Sequence, residues 1–188
     1  MVYLLLADGF EDLEAVAPID ILRRAGIPLT TVGVTGRRVT SKHGLTVEAD
    51  TTLDGTGADD LDMLVLPGGP GAETLRTDPR VLALLQAAAR DGRIIGAICA
   101  APGILAEQGL LTGRRAVCFP SCEETLIEYG AHIERDKQVT HDRNLVTARA
   151  AGSSIEFALK LVAMLRGWPA SESVRAAIHY EYTDRALT

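Results

Sequence analysis

A short β-branched run, Ile94-Ile95-Gly96-Ala97-Ile98, ends in Cys99, and the small, helix-compatible residues Ala100-Ala101-Pro102-Gly103 follow at once. The pattern predicts a thiol at a strand-to-helix turn. In a doubly wound α/β fold, sites form at the carboxyl ends of parallel strands. Helix N-termini there offer unpaired amides and a positive potential that favours a thiolate. Cys99 is therefore a candidate nucleophile, and its plain structural reading is a small buried hydrophobe closing an apolar strand.

Glu14 is the second candidate. On a helix it shares a stripe with Ala17, Pro18 and Ile21, while Glu11, Asp12, Asp20 and Arg23 fall on more solvated faces. Desolvation raises a carboxyl pKa, and the neutral form can donate a hydrogen bond to a neighbouring thiolate. The simpler alternative is a helix-N-terminal acid that complements the macrodipole. The third feature is the loop Leu66-Pro67-Gly68-Gly69-Pro70-Gly71, which follows an apolar strand and precedes a helical segment beginning near Ala72-Glu73. Glycine permits positive φ and close backbone approach. If this strand neighbours the one ending at Cys99, the Gly69 and Ala100 amides can converge on a developing oxyanion, with Gly68 beside them. Read alone, the loop is a tight βα turn; it is no Walker loop, because no Gly-Lys-Ser/Thr follows.

The remaining thiols and imidazoles add less. Cys118 and Cys122 flank Phe119-Pro120-Ser121 with no matching Cys/His pair nearby, so no metal site is expected. Cys118 reads as structural, with a resolving thiol for oxidised Cys99 as the alternative. His43, His132, His141 and His179 are scattered and none adjoins Cys99, so spacing names no Cys–His pair. His43 and His141 read as surface or loop residues.

The elements that must position these groups follow from periodicity. Strand-like runs at Val2–Ala7, Leu29–Val34, Met63–Leu66 and Ile94–Ile98 alternate with helical patterns at Glu11–Arg24, Val81–Arg90 and Ala100–Glu107. Such alternation predicts a mostly parallel sheet with helices on both faces. Between Arg38 and Thr52, alternating residues around His43-Gly44 predict an edge hairpin. Further on come a strand at Ala116–Cys118, a helix at Glu123–Tyr129, and short strands at Val139–His141 and Leu145–Thr147. An apolar helix follows at Ile155–Arg166, capped by the turn at Ala150–Ser154. Ser171–Thr188 reads as a last helix with a frayed end. With 188 residues, 47% apolar, eighteen Gly and eight Pro, one compact domain over 1–188 is expected.

Charge and cysteine use narrow the partners. A net charge of -6 without a basic cluster argues against nucleic acid or an anionic membrane surface. The apolar N-terminal run is too short to span a membrane and lacks a basic n-region, which predicts a cytoplasmic protein. Three cysteines, an odd number, predict reduced thiols rather than a disulfide framework.

Taken together, the motifs resemble the ThiJ/PfpI superfamily over nearly the full length, most closely its deglycase and YajL-like branch. The resemblance rests on Asp8-Gly9-Phe10-Glu11-Asp12-Leu13-Glu14, Arg23-Arg24-Ala25-Gly26-Ile27, Leu66-Pro67-Gly68-Gly69, Ala97-Ile98-Cys99-Ala100-Ala101-Pro102 and Ile155-Glu156-Phe157-Ala158-Leu159. It implies a flavodoxin-like three-layer sandwich, usually homodimeric, with Cys99 as nucleophile on a strained turn and Glu14 as the protonated carboxyl beside it. Gly69 and Ala100 would supply amides around the reacting oxygen, and Arg24 would lie close to the dimer contact.

The chain also departs from the family pattern. Phe119-Pro120 stands where the deglycase-like branch often has histidine before proline, so a cysteine–histidine dyad is not expected. Ala100 stands where the peptidase-like branch has histidine, so a protease triad is not expected either. Ala150-Ala151-Gly152-Ser153 replaces a Gly-Pro-Gly-Thr turn, and His43 replaces an arginine facing the pocket.

The function this implies is a cofactor-independent glyoxalase or deglycase acting on reactive dicarbonyls such as methylglyoxal and glyoxal, or on their early protein adducts, with a stress-response role. The alternative is a redox-sensing chaperone that works through oxidation of Cys99 and engages glycated or misfolded protein. A cysteine amidase or peptidase ranks third, since no histidine can be assigned as its base.

Overall fold

The structure, a computed structural model, describes residues 1–181. Its elements run β1 (Val2–Leu6), α1 (Asp12–Arg24), β2 (Leu29–Gly33), β3 (Arg38–Thr40), β4 (Thr46–Glu48), β5 (Thr51–Thr52), β6 (Met63–Leu66), α2 (Ala72–Thr77), α3 (Pro79–Arg90), β7 (Ile94–Ile98) and α4 (Pro102–Glu107). They continue with β8 (Arg115–Ala116), α5 (Glu123–Glu128), β9 (His132–Ile133), β10 (Val139–Asp142), β11 (Leu145–Ala148), α6 (Ser154–Arg166) and α7 (Trp168–Ala177). The main sheet has the order β10-β11-β7-β6-β1-β2-β5 and is parallel except for the β10–β11 pair.

The central strands are apolar on both faces because both faces are covered. Leu5, Leu64, Leu66, Ile95 and Ala97 enter one core layer, beneath Leu85 of α3 and Leu105 of α4. Leu4, Leu6, Met63, Val65 and Ile98 enter the other, beneath Leu22 of α1 and Phe157 and Leu161 of α6. The helices on both faces are those the alternation of elements predicts, and the whole is the flavodoxin-like three-layer sandwich that the resemblance implies. Gly96 sits mid-strand for a packing reason. A Cβ there would lie 2.9 Å from Leu161 and 3.0 Å from Phe157, so its absence lets α6 close on the sheet.

Several local features differ from the sequence reading. The helix expected at Val81–Arg90 begins at Pro79, because Asp78 caps it by accepting from the Arg80 amide and Pro79 occupies its first turn. The predicted hairpin is β3–β4, which forms its own antiparallel ribbon, Thr51–Thr52 taking the main-sheet edge beside β2. Two-residue strands β8 and β9 pair parallel in a third small sheet. The last helix begins at Trp168, and the expected frayed end, 182–188, lies outside the described residues. No described helix is long and apolar enough to cross a membrane.

The strand order reverses between β1 and β6, and the crevice at the carboxyl ends of such strands is where ligands of doubly wound sheets bind. Three connections meet there, from β1 to α1, from β6 to α2 and from β7 to α4.

Candidate active site

The β1–α1 connection delivers Glu14. Glu11 caps α1, its carboxylate accepting the Glu14 amide at 3.0 Å, and the Glu11 amide donates to the Gly68 carbonyl at 3.1 Å. The start of α1 is thereby fixed to the Gly-rich loop. One turn in, Glu14 is 0% exposed, and its Oε2 accepts the Gly68 amide at 2.8 Å. Pro18, four residues on, has no N–H to donate to the Glu14 carbonyl, which loosens the regular ladder at this residue. Burial raises the Glu14 pKa from 4.5 to about 7, against the opposing pull of the Cys99 thiol and the Gly68 amide.

The β7–α4 turn delivers Cys99. Its φ of 66° lies in the left-handed region, at a cost of about 1–3 kcal/mol for a residue with a side chain. The turn is held from both sides. The Cys99 amide donates to the Ala148 carbonyl at 3.0 Å, and its carbonyl accepts the Phe119 amide at 2.9 Å. Burial and the adjacent Glu14 carboxylate push the thiol up to about 12, while the amides of Gly69 and Ala100, both directed at the sulfur, act in the opposite sense.

Gly68 and Gly69 are glycine for want of room. A Cβ on Gly68 would lie 2.7 Å from Glu14 Oε2 and 2.8 Å from Cys99 Cβ. One on Gly69, at φ +80°, would lie 2.6 Å from the Gly9 carbonyl oxygen. The structure therefore brings Glu14, Gly68, Gly69, Cys99 and Ala100 together. A cleft of about 280 Å³ opens over Gly69 and Ala100, walled by Arg76, Ile104, Glu107 and Cys122. The amides do not outweigh burial and Glu14, so the thiolate-favouring potential expected at this helix start is not what the structure shows; a thiolate forms when Glu14 takes the thiol proton, and the two amides can hold an oxyanion.

The other candidates stand further out. Phe119 is an exposed ring whose backbone braces Cys99. His43, in the β3–β4 connection, pairs through Nδ1 with Asp12 at 2.8 Å, and Ser41 donates to the other Asp12 oxygen at 2.6 Å. That loop is tied to the site entrance by the Lys42 amide, which donates to the Phe10 carbonyl at 2.8 Å. Donor atoms of Glu11, Asp12 and His43 lie within 4.8 Å of one another, but both Asp12 oxygens already accept hydrogen bonds and Glu11 caps α1. Arg24 pairs with Asp20 at 2.7 Å in the last turn of α1, about 15 Å along the helix from Glu14 at 1.5 Å rise per residue. Cys118 is buried in the α3–α4 layer, whereas Cys99 packs against the α6 layer.

Glu11 was not singled out from sequence, and the strained turn at Cys99 came from the family resemblance alone. The available signal for Glu11 was an acid three residues before Glu14 at a helix start. Nothing in residue type announces a non-glycine positive φ.

Comparison with known proteins agrees with this architecture. The DJ-1/PfpI family model matches residues 1–164, and the chain belongs to that family. Protein dj-1beta of Drosophila melanogaster is 36% identical over 165 residues, covering 87% of this chain and 88% of the relative. A crystal structure of Drosophila DJ-1beta superposes with a TM-score of 0.92 at 34% identity, covering 96% of this chain and 98% of that one. A deglycase of Thermococcus kodakarensis is 33% identical over 165 residues, covering 88% of this chain and 99% of the relative. A glutathione-independent glyoxalase of Caenorhabditis elegans is 31% identical over 164 residues, covering 87% of each chain.

Proposed function

We propose that the protein is a cysteine-dependent glyoxalase or deglycase acting on reactive dicarbonyls, methylglyoxal and glyoxal, or their early protein adducts. The carrying observation is the buried Glu14 carboxyl, raised to about 7, beside a thiol that faces the Gly69 and Ala100 amides. Deglycase and glyoxalase names among the relatives point the same way. In this reading the Cys99 thiolate adds to the aldehyde carbon, forming the C–S bond, and the carbonyl oxygen takes a proton to give a hemithioacetal. Glu14 removes the proton from that carbon and returns one to the neighbouring carbon, converting the ketone to an alcohol and the hemithioacetal to a thioester. Water cleaves the thioester, releasing lactate and the thiol. The chemistry is an internal redox shift and calls for no metal or organic cofactor. Purified protein given methylglyoxal yields lactate, and Cys99→Ala does not.

The same site supports a second reading as a peroxide sensor. Glu14 is buried beside the Cys99 thiol, so a protonated Glu14 can donate to a Cys99 sulfinate. Peroxide titration followed by intact mass adds two oxygens at Cys99 selectively, and Glu14→Leu abolishes that selectivity. Uniform oxidation of Cys118 and Cys122 contradicts this reading.

A homodimer fits the outer face of α1. Leu13 and Val16, one turn apart, are 57% and 42% exposed there, and Arg24 follows along the same helix.

A further inference from the structure

A cavity of about 360 Å³ lies at the sheet edge, between β10 and the start of α7, and shares no lining residue with the cleft over Gly69 and Ala100. In a chain of net charge -6, its walls carry Arg115, Lys137 and Lys160. Lys160 is partly buried, and burial lowers its pKa; its ammonium lies 5.1 Å from the centre of the Trp168 ring. Among the described residues, neither Lys160 nor Lys137 has a carboxylate within ion-pair distance. The two acids of the wall are already engaged. Glu134 accepts the Thr140 hydroxyl and lies 3.6 Å from Arg115, and Glu156 accepts the Tyr180 hydroxyl at 3.0 Å. His141, on the same wall, is held below its ordinary pKa by burial first and then by Lys160 and Arg115, against the opposing pull of Asp142 and Glu134. Arg115 is paired with both of those acids, which leaves Lys160 and Lys137 as the cations open to a ligand. Trp168 leaves 56% of its surface to solvent, and with the Lys160 ammonium over its ring it offers one ligand an apolar face and a positive charge side by side.

We propose that this cleft binds a small aromatic anion, a ring-bearing phosphate or carboxylate whose charged group pairs with Lys160 and Lys137 and whose ring packs on Trp168. The anion relieves the desolvated ammonium, and the ring covers the indole. The site is independent of the chemistry at Cys99.

Trp168 is the sole tryptophan of the chain, so its emission reports the cleft directly. Titration of the full chain with phenyl phosphate at constant ionic strength gives a saturable change in that emission. Lys160→Met and Lys137→Ala each weaken binding by about tenfold, the loss expected for one charge-assisted hydrogen bond. Both variants form lactate from methylglyoxal as the parent does. Lys137 lies on an exposed loop, so its variant keeps the test valid if Lys160→Met fails to fold. Benzyl alcohol, a ring without charge, and inorganic phosphate, a charge without a ring, both bind more weakly than phenyl phosphate. The proposal is overturned if phenyl phosphate produces no saturable change, if both variants bind it like the parent, or if either half-ligand binds as tightly.

Discussion

Glu14 and Cys99 sit on either side of Gly68, and the ionised form of Glu14 raises the pKa of Cys99. Above about pH 7 the pair holds one proton fewer than below it, and the proton that remains lies mainly on the thiol, whose pKa is the higher of the two. The nucleophilic form carries that proton on Glu14. Alkylation of Cys99 by iodoacetamide therefore accelerates as pH rises through about 7. In Glu14→Gln this step disappears and the thiol titrates alone, below its parent value of about 12, because the neighbouring charge has gone. Lactate formation by the same variant falls by about 100-fold to 10,000-fold, the range for loss of a general acid–base.

The same carboxyl sets a slope in stability. Glu14 holds its proton more tightly folded than unfolded, so its contribution is complete below the unfolded value of 4.5 and is lost as pH rises through about 7. The loss amounts to about 3 kcal/mol between those limits, from 1.36 kcal/mol per pKa unit. Denaturant melts of the parent show this decline and those of Glu14→Gln do not. A Glu14→Gln slope equal to the parent's assigns the decline to other groups.

Gly68→Ala tests whether the spacing of the pair matters. The new Cβ meets Glu14 Oε2, Cys99 Cβ and the Ile98 carbonyl oxygen at 2.7, 2.8 and 2.9 Å. The variant loses about 1–3 kcal/mol of stability to overpacking. Displacing either reacting group lowers kcat by about 100-fold, as small misplacements do. Circular-dichroism melts and steady-state rates measure the two effects separately.

Much of this site was legible because strand and helix periodicities are strong where both sheet faces are covered. The runs ending at Leu66 and Cys99 alternate between the two core layers, so their carboxyl ends, and the loops they deliver, follow from pattern. Glu14 was legible as a carboxylate on an apolar stripe, with Pro18 and Ile21 buried beside it. What pattern does not carry is set by tertiary contacts. The φ of Cys99 is imposed by bonds to Ala148 and Phe119, residues far along the chain. Strands β8 and β9, two residues each, have no periodicity to read. The hairpin at Arg38–Glu48 has edge-strand alternation yet leaves the sheet, because Gly9 and Asp8 hydrogen-bond its Thr40 over the site. The alternative of Cys118 as a resolving thiol meets the opposite core layers of the two cysteines, and non-reducing mass mapping after mild oxidation yields no Cys99–Cys118 bridge.

The outer face of α1 supplies a separate test. Leu13→Asp places a charge on the exposed apolar stripe one residue from Glu14. Light scattering after size exclusion gives a dimer for the parent and a monomer for the variant, with the fold retained. A parent that runs as a monomer at all concentrations removes the dimer.

The most direct measurement is lactate production from methylglyoxal by the purified parent, Cys99→Ala and the double variant Cys118→Ala/Cys122→Ala. The account predicts activity in the parent and in the double variant and none above background in Cys99→Ala. Lactate formed by Cys99→Ala at the parent's rate contradicts it.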